Sequence, residues 1–411
     1  MFSFRTTPLE EQGDLVLRNG KLGLLCNHTA WHPESGEYLF ETLSRRGNLK
    51  RVFTPEHGLF SELQDQVKLD ESKVYGNLGL KDVEFVSLYG SNEDSLSAPA
   101  EKLEDIDALI IELQDVGCRY YTYISTILNL FKVLKNNGIN LPVYIIDRPN
   151  PAGRQVEGTM LRAGYRSFIG VEGLPHRHGL TIGELSYLLY NETGAKFPLH
   201  IISYHSSLSS KSLMPWSIPP SPNFPGLFTA CFYSGQCLWE GTNVSEGRGT
   251  TRPFELFGAP YMESLTGYNR QNGYRNWNDR DNPLSDPGVY VRWLKFIPVF
   301  HKYKDECCYG FQLLLNPNMQ YHALAHNLRI IRFLHDNCKE FAFREGKYEA
   351  GNDKRAIELL LGDKELIDYV SGDGEWAEIR EHMKLEEQKW IKKAKKMLLY
   401  ENEQLYRVKQ F

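Results

Sequence analysis

Residues 108–147 read ALIIELQDVGCRYYTYISTILNLFKVLKNNGINLPVYIID. The run Ala108–Leu113 is apolar with no alternation, as expected of a strand covered on both faces. Residues 124–131 carry apolar side chains at helical spacing, and Gly138 is placed to end that helix. Pro142–Asp147 is a second strand. A strand, a crossover helix and another strand within forty residues predict a parallel pair. Working outward, residues 23–27, 50–54, 83–88 and 199–204 read as further strands, and residues 38–43 and 183–190 as helices. The fold class predicted is α/β: a Rossmann-like, doubly wound, mainly parallel sheet with a second, smaller α+β domain. At 411 residues the chain exceeds one ordinary domain. A polar, turn-rich stretch at about 265–285 suggests a Rossmann-like catalytic domain over residues 1–265 and a smaller domain over 266–411. In the latter, strands are expected near 289–296 and 310–315, with helices at about 322–338, 353–362 and 375–399.

Composition narrows the function. Forty-seven basic against 52 acidic residues leave a net charge of -5. That balance speaks against a nucleic-acid or anionic-membrane partner, both of which want a basic surplus. Seven cysteines in irregular spacing, with no CxxC, support neither a disulfide framework nor a structural zinc site. No GxGxxG follows the first strand and no GxxxxGK[ST] occurs, so no nucleotide cofactor is expected. The start has no sustained apolar region, so the chain as written reads as cytoplasmic. A leader removed beforehand would make it periplasmic or secreted instead.

In open α/β sheets ligands bind beyond the carboxyl ends of the strands, and the polar clusters fall there. One strand runs into Glu56 and His57. A second runs into Asp115, Arg119, Tyr121 and Tyr123, and a third into Asp147 and Asn150. The long, Pro- and Gly-rich loops of residues 147–260 add His176, Arg177 and His178, then Asn223, then Glu240, Asn243, Glu246 and Arg248. Loops of that length inside a compact domain are usually functional.

The segments FTPEHG, LQDVGCRYYTY, DRPNP, GLPHRHGLTIGEL, PSPNFP and EGTNVSEGRGTTRPFE follow one another in this order. Together they resemble the NamZ-type exo-β-N-acetylmuramidase family, most strongly from Phe53 to Pro260. The resemblance implies a hydrolase that cleaves the β-1,4 bond after a non-reducing-end N-acetylmuramic acid, acting on a small glycan or muropeptide. Such chemistry needs a carboxylic acid to protonate the leaving oxygen, and often a second carboxylate. Glu56, beside Pro55 and His57, is the expected acid, with Asp115, Glu240 and Glu246 as unranked partners. The lactyl carboxylate of muramic acid wants a planar cation, so Arg119, Arg177 and Arg248 are candidates. Tyr121 or Tyr123 could face the sugar ring.

Each of these residues has a plainer reading. Asp147 could fix a turn, Asp115 could cap the helix that follows it, and Glu56 could sit in a buried ion pair. Cys118 beside Arg119 reads as a small buried thiol rather than a nucleophile. Two other functions compete: a metal-dependent hydrolase built on His57, Asp115, His176 and His178, and a muropeptide-binding protein without turnover.

Overall fold

The computed structural model describes residues 15–32, 35–61, 78–80, 82–89, 96–202, 218–265, 277–280, 282, 284–349 and 352–400. Six strands form one sheet: β1 (Leu22–Cys26), β2 (Leu49–Thr54), β3 (Glu84–Ser87), β4 (Ala108–Glu112), β5 (Val143–Ile146) and β6 (Leu199–Ile202). Every pairing is parallel, in the order β3-β2-β1-β4-β5-β6. This is the Rossmann strand order, reversing direction between β1 and β4.

The period-2 alternation of a strand sorts its side chains onto two faces. Leu25, Phe53, Leu109, Ile111 and Ile145 join one core with helix α2 (Tyr123–Asn136) and helix α3 (Ile182–Thr193). Leu24, Val52, Ile110, Tyr144 and Ile146 join a second core with helix α1 (Leu39–Arg45). Because both faces are covered, β1, β4 and β5 are buried along their whole length, and their sequences read as unbroken apolar runs.

A smaller antiparallel sheet follows, formed by β7 (Leu256–Ala259), β8 (Val289–Phe296) and β9 (Cys308–Leu315) in the order β8-β9-β7. Helices α4 (Leu227–Gln236), α5 (Ala323–Asn337), α6 (Ala356–Leu361), α7 (Lys364–Val370) and α8 (Trp376–Ala394) complete it. Strand β7 lies upstream of the division expected at 265 yet pairs with β9, and α4 packs on α5. The smaller unit therefore draws on residues well before 265. Helix α4 escapes a sequence reading because it has no polar face: residues 229–236 are all buried, so no amphipathic period marks it.

One buried ion pair sits at the end of β4. Glu112 accepts from Arg148 Nη2 at 2.5 Å and lies 3.4 Å from His32 Nε2. Burial pushes its carboxyl up, but Arg148 and His32 outweigh burial and hold it at about 2. A pKa below the ordinary carboxylate value gives stability that is present above pH 4.5 and lost as pH falls toward 2. The loss is roughly 3 kcal/mol. Glu112→Gln is therefore expected to be less stable than wild type at neutral pH, with the gap closing below pH 4.5. Urea titrations at pH 7 and pH 3 check this; an unchanged gap would refute the assignment.

Candidate functional site

Strand β2 stops at Pro55, and the chain turns sharply through His57 and Gly58, both at positive φ (74° and 82°). Left-handed backbone at a non-glycine residue costs energy and tends to mark functional turns. The turn places Glu56 and His57 on the wall of a cavity of about 1840 Å³. That exceeds the ~300–1,000 Å³ typical of a small-molecule pocket and suits an oligosaccharide or muropeptide. Thr122, at the start of α2, donates from Oγ1 to Glu56 Oε2 at 2.6 Å. The strand-end loops of β2 and β4 thus meet through this bond, as expected of a Rossmann sheet.

Of the other expected residues, Tyr121, Asn223, Glu240 and Arg248 also line the cavity. Tyr121 stands edge-on to Tyr123, with ring centroids 4.7 Å apart, and near Phe224 at 6.2 Å. Glu240 accepts from Arg248 Nη2 at 2.6 Å and from the Tyr348 hydroxyl. Its carboxylate is therefore engaged by two protein donors, and Arg248 is engaged by it.

The rest do not line the cavity. Arg119 is fully buried and donates to the carbonyls of Thr159, Leu174, Leu360 and Leu361. The last two close the C-terminus of α6, where a cation is favoured. Burial lowers Arg119 to about 10, and it does not line the cavity. His176 packs beside it, held well below the ordinary histidine value by burial and by the Arg119 charge. Arg177 is buried on Glu157 at 2.8 Å. His178 lies 3.2 Å from Asp115, whose Oδ2 also accepts from Gly117 N at 2.7 Å. Gly117 is at φ 85°, and a Cβ there would come within 2.3 Å of Asn150 Oδ1. Asp115 and Asn150, which also accepts from Ala152 N, thus fix adjoining turns.

Asp147 accepts from Gly183 N, Thr181 Oγ1, Arg148 N and the Tyr400 hydroxyl at 2.7–2.8 Å. It anchors the N-terminus of α3, the turn-fixing role; burial raises its carboxyl to about 6. Tyr123 donates to the Pro220 carbonyl and accepts from Asn27, the residue after β1. Asn243 ties its loop to Glu340, Tyr261 and Ala342. Glu246 is buried against Lys302 at 2.8 Å and His301 at 3.1 Å. Burial alone would raise it, but Lys302, His301 and Arg248 hold it far below the ordinary carboxylate range. Cys118 is a buried thiol pushed up by burial. Among the described residues, His57, Asp115, His176 and His178 do not converge on a cation site; the grouping with that geometry is Asp363, Glu365 and His382. There Asp363 already faces Arg162 at 3.1 Å.

A further cavity carboxylate, besides Glu56 and Glu240, was not singled out from the sequence. Glu349, from the loop before α6, accepts from Phe168 N at 3.1 Å and Ile169 N at 2.9 Å. Burial and, more weakly, the charge of Glu56 push it above the ordinary carboxylate value against those two bonds. Nothing in the spacing of residues 344–349 announces this role, because Glu349 reaches the cavity lined by Glu56 only through packing of segments remote in the chain.

Residues 22–227 match the family model described as Exo-beta-N-acetylmuramidase NamZ, N-terminal, and residues 231–400 match its C-terminal counterpart. The peptidoglycan beta-N-acetylmuramidase NamZ of Bacillus subtilis (strain 168) is 34% identical over 329 residues, covering 78% of this chain and 74% of the relative. Two solved DUF1343 family proteins from Bacteroides fragilis NCTC 9343 superpose with TM-scores of 0.75 and 0.69. Each is 25% identical and covers 95% of this chain and 97% of its own. With the carboxylate-lined cavity at the sheet edge, these matches define a glycoside hydrolase. The chain belongs to the NamZ exo-β-N-acetylmuramidase family. No helix among the described residues is long and apolar enough to cross a membrane.

Proposed function

We propose that this enzyme removes N-acetylmuramic acid from the non-reducing end of peptidoglycan fragments by cleaving the β-1,4 bond that follows it. The observation that carries the reading is that Glu56 and Glu349, remote in the chain, line one cavity near enough for the Glu56 charge to act on Glu349. A pair of carboxyl groups in the substrate cavity is the usual arrangement for glycoside hydrolysis. Glu56, oriented by Thr122, protonates the leaving oxygen. Glu349, pinned by two backbone N–H groups, is the second carboxyl group facing the reacting carbon.

The test is a pair of disaccharides. With N-acetylmuramic acid at the non-reducing end, free N-acetylglucosamine and N-acetylmuramic acid are released; with the sugars reversed, nothing is. Equal cleavage of both would refute exo action on muramic acid. Glu349→Gln is expected to lower kcat ten- to a hundredfold. Its carboxyl titrates above the ordinary value of 4.5, so the wild-type profile of kcat/KM should contain a step above that pH, absent from the variant. A step that persists in Glu349→Gln belongs to another group.

A further inference from the structure

Thr122 stands at the N-cap of α2, a helix of fourteen residues, yet its side chain makes no cap bond. Its hydroxyl is turned to Glu56 instead, at 2.6 Å. An N-cap side chain ordinarily accepts from the backbone N–H of the second or third helical residue. Here those residues are Ile124 and Ser125, and no backbone carbonyl among the described residues accepts from them. The start of α2 thus keeps the donors and the positive end of the peptide dipoles that together favour an anion.

A second observation comes from a side chain one turn along. Ser125 lines the cavity, as Thr122 and Glu56 do. It is 4% exposed, and among the described residues its Oγ has no hydrogen-bond partner. A helical serine or threonine can return its hydroxyl to the carbonyl one turn back, as Thr126 does to the Thr122 carbonyl at 3.2 Å. Ser125 does not. A buried hydroxyl left unpaired is unfavourable, and a group entering the cavity supplies the partner.

Under the muramidase reading above, on which this inference rests, the sugar brings one anion, its lactyl carboxylate. The three arginines that the sequence offers for it are committed: Arg119 and Arg177 away from the cavity, and Arg248 on Glu240. Residues three apart on a helix hold their Cβ atoms ~5–6 Å from one another, so Ser125 stands one such step from the residue that holds Glu56. The lactyl ether is borne two ring carbons from the anomeric bond that Glu56 serves, which puts its carboxylate within that reach. As the proton donor Glu56 is uncharged, so the lactyl group is the anion at this end of α2.

We propose that Ser125 Oγ and the uncapped N-terminus of α2 form the subsite for the lactyl carboxylate, and so set a preference for muramic acid over N-acetylglucosamine. Isothermal titration of N-acetylmuramic acid, its lactyl amide and N-acetylglucosamine tests this. A charge-assisted contact predicts that wild type binds the acid roughly ten- to a hundredfold tighter than the amide. Ser125→Ala should cut that ratio roughly tenfold without weakening N-acetylglucosamine, and Ser125→Thr, which keeps a hydroxyl, should retain it. Ser125→Asp, which puts an anion into the subsite, should make the amide the tighter ligand. A ratio unchanged in Ser125→Ala overturns the subsite; equal weakening of all three ligands is what a purely structural role gives, and overturns it too. Hydrolysis of the disaccharide with N-acetylmuramic acid at its non-reducing end is read in parallel. Cleavage without a preference for the acid removes the subsite alone. No cleavage, with a preference that Ser125→Ala loses, removes the muramidase reading and leaves the anion site; with neither, both fall.

Discussion

Glu56→Gln is expected to lower kcat on a chromogenic β-N-acetylmuramide by two to four orders of magnitude, the range a positioned general acid contributes. Affinity for N-acetylmuramic acid should stay within a few-fold of wild type. The glutamine amide oxygen can still accept the Thr122 hydroxyl that orients Glu56 Oε2, so geometry survives while the proton is lost. Isothermal titration of the sugar and initial-rate kinetics separate the two effects. A variant that turns over at the wild-type rate would remove Glu56 from the mechanism. Lost affinity with unchanged kcat would make it a binding residue only. A leaving group that needs no protonation, such as dinitrophenol, should recover part of the rate, because the acid acts on the departing oxygen.

Arg119→Met is expected to have the second large effect, on stability and not on catalysis. The guanidinium supplies donors to four buried carbonyls, two of them on the last turn of α6 in the other unit. Methionine fills similar volume but leaves those carbonyls without a donor, at ~1–3 kcal/mol each. Even with relaxation, the total is on the order of 4 kcal/mol, a large part of an ordinary folding free energy of ~5–15 kcal/mol. The urea midpoint should drop sharply, while KM for the muramide, measured on the folded protein at low temperature, stays near wild type. A raised KM with an unmoved midpoint would mean that Arg119 touches substrate, as its place in the LQDVGCRYYTY segment first suggests.

The contrast between Glu56 and Arg119 shows what can be read without coordinates. Both follow a strand of the parallel sheet, and both are polar residues in dense motifs. Glu56 is aimed outward by a tight left-handed turn and lines the cavity. Arg119 comes after a turn at Gly117 that folds the chain back beneath the smaller unit. Strand-end position told where a ligand could approach; it could not tell which polar side chain faces the ligand and which serves as internal scaffolding. The His176–Arg177–His178 run is a like case: its polar pattern reads as a site, yet all three side chains are absorbed by Arg119, Glu157 and Asp115. Glu349 is the converse, a cavity carboxylate in a loop with no motif.

The local pattern of residues determined much of this molecule. Apolar runs such as Ala108–Leu113 and Pro142–Asp147 can be stable only when covered on both sides, which forces a parallel sheet with crossover helices and sets the edge where chemistry occurs. Packing alone decided the division of labour along that edge. Whether a carboxylate or guanidinium ends in water, against a substrate or beside an internal counterpart depends on distances between segments remote in the chain. Residue spacing carries no record of those distances, as Glu56 and Glu349 lining one cavity and Arg119 meeting the end of α6 illustrate.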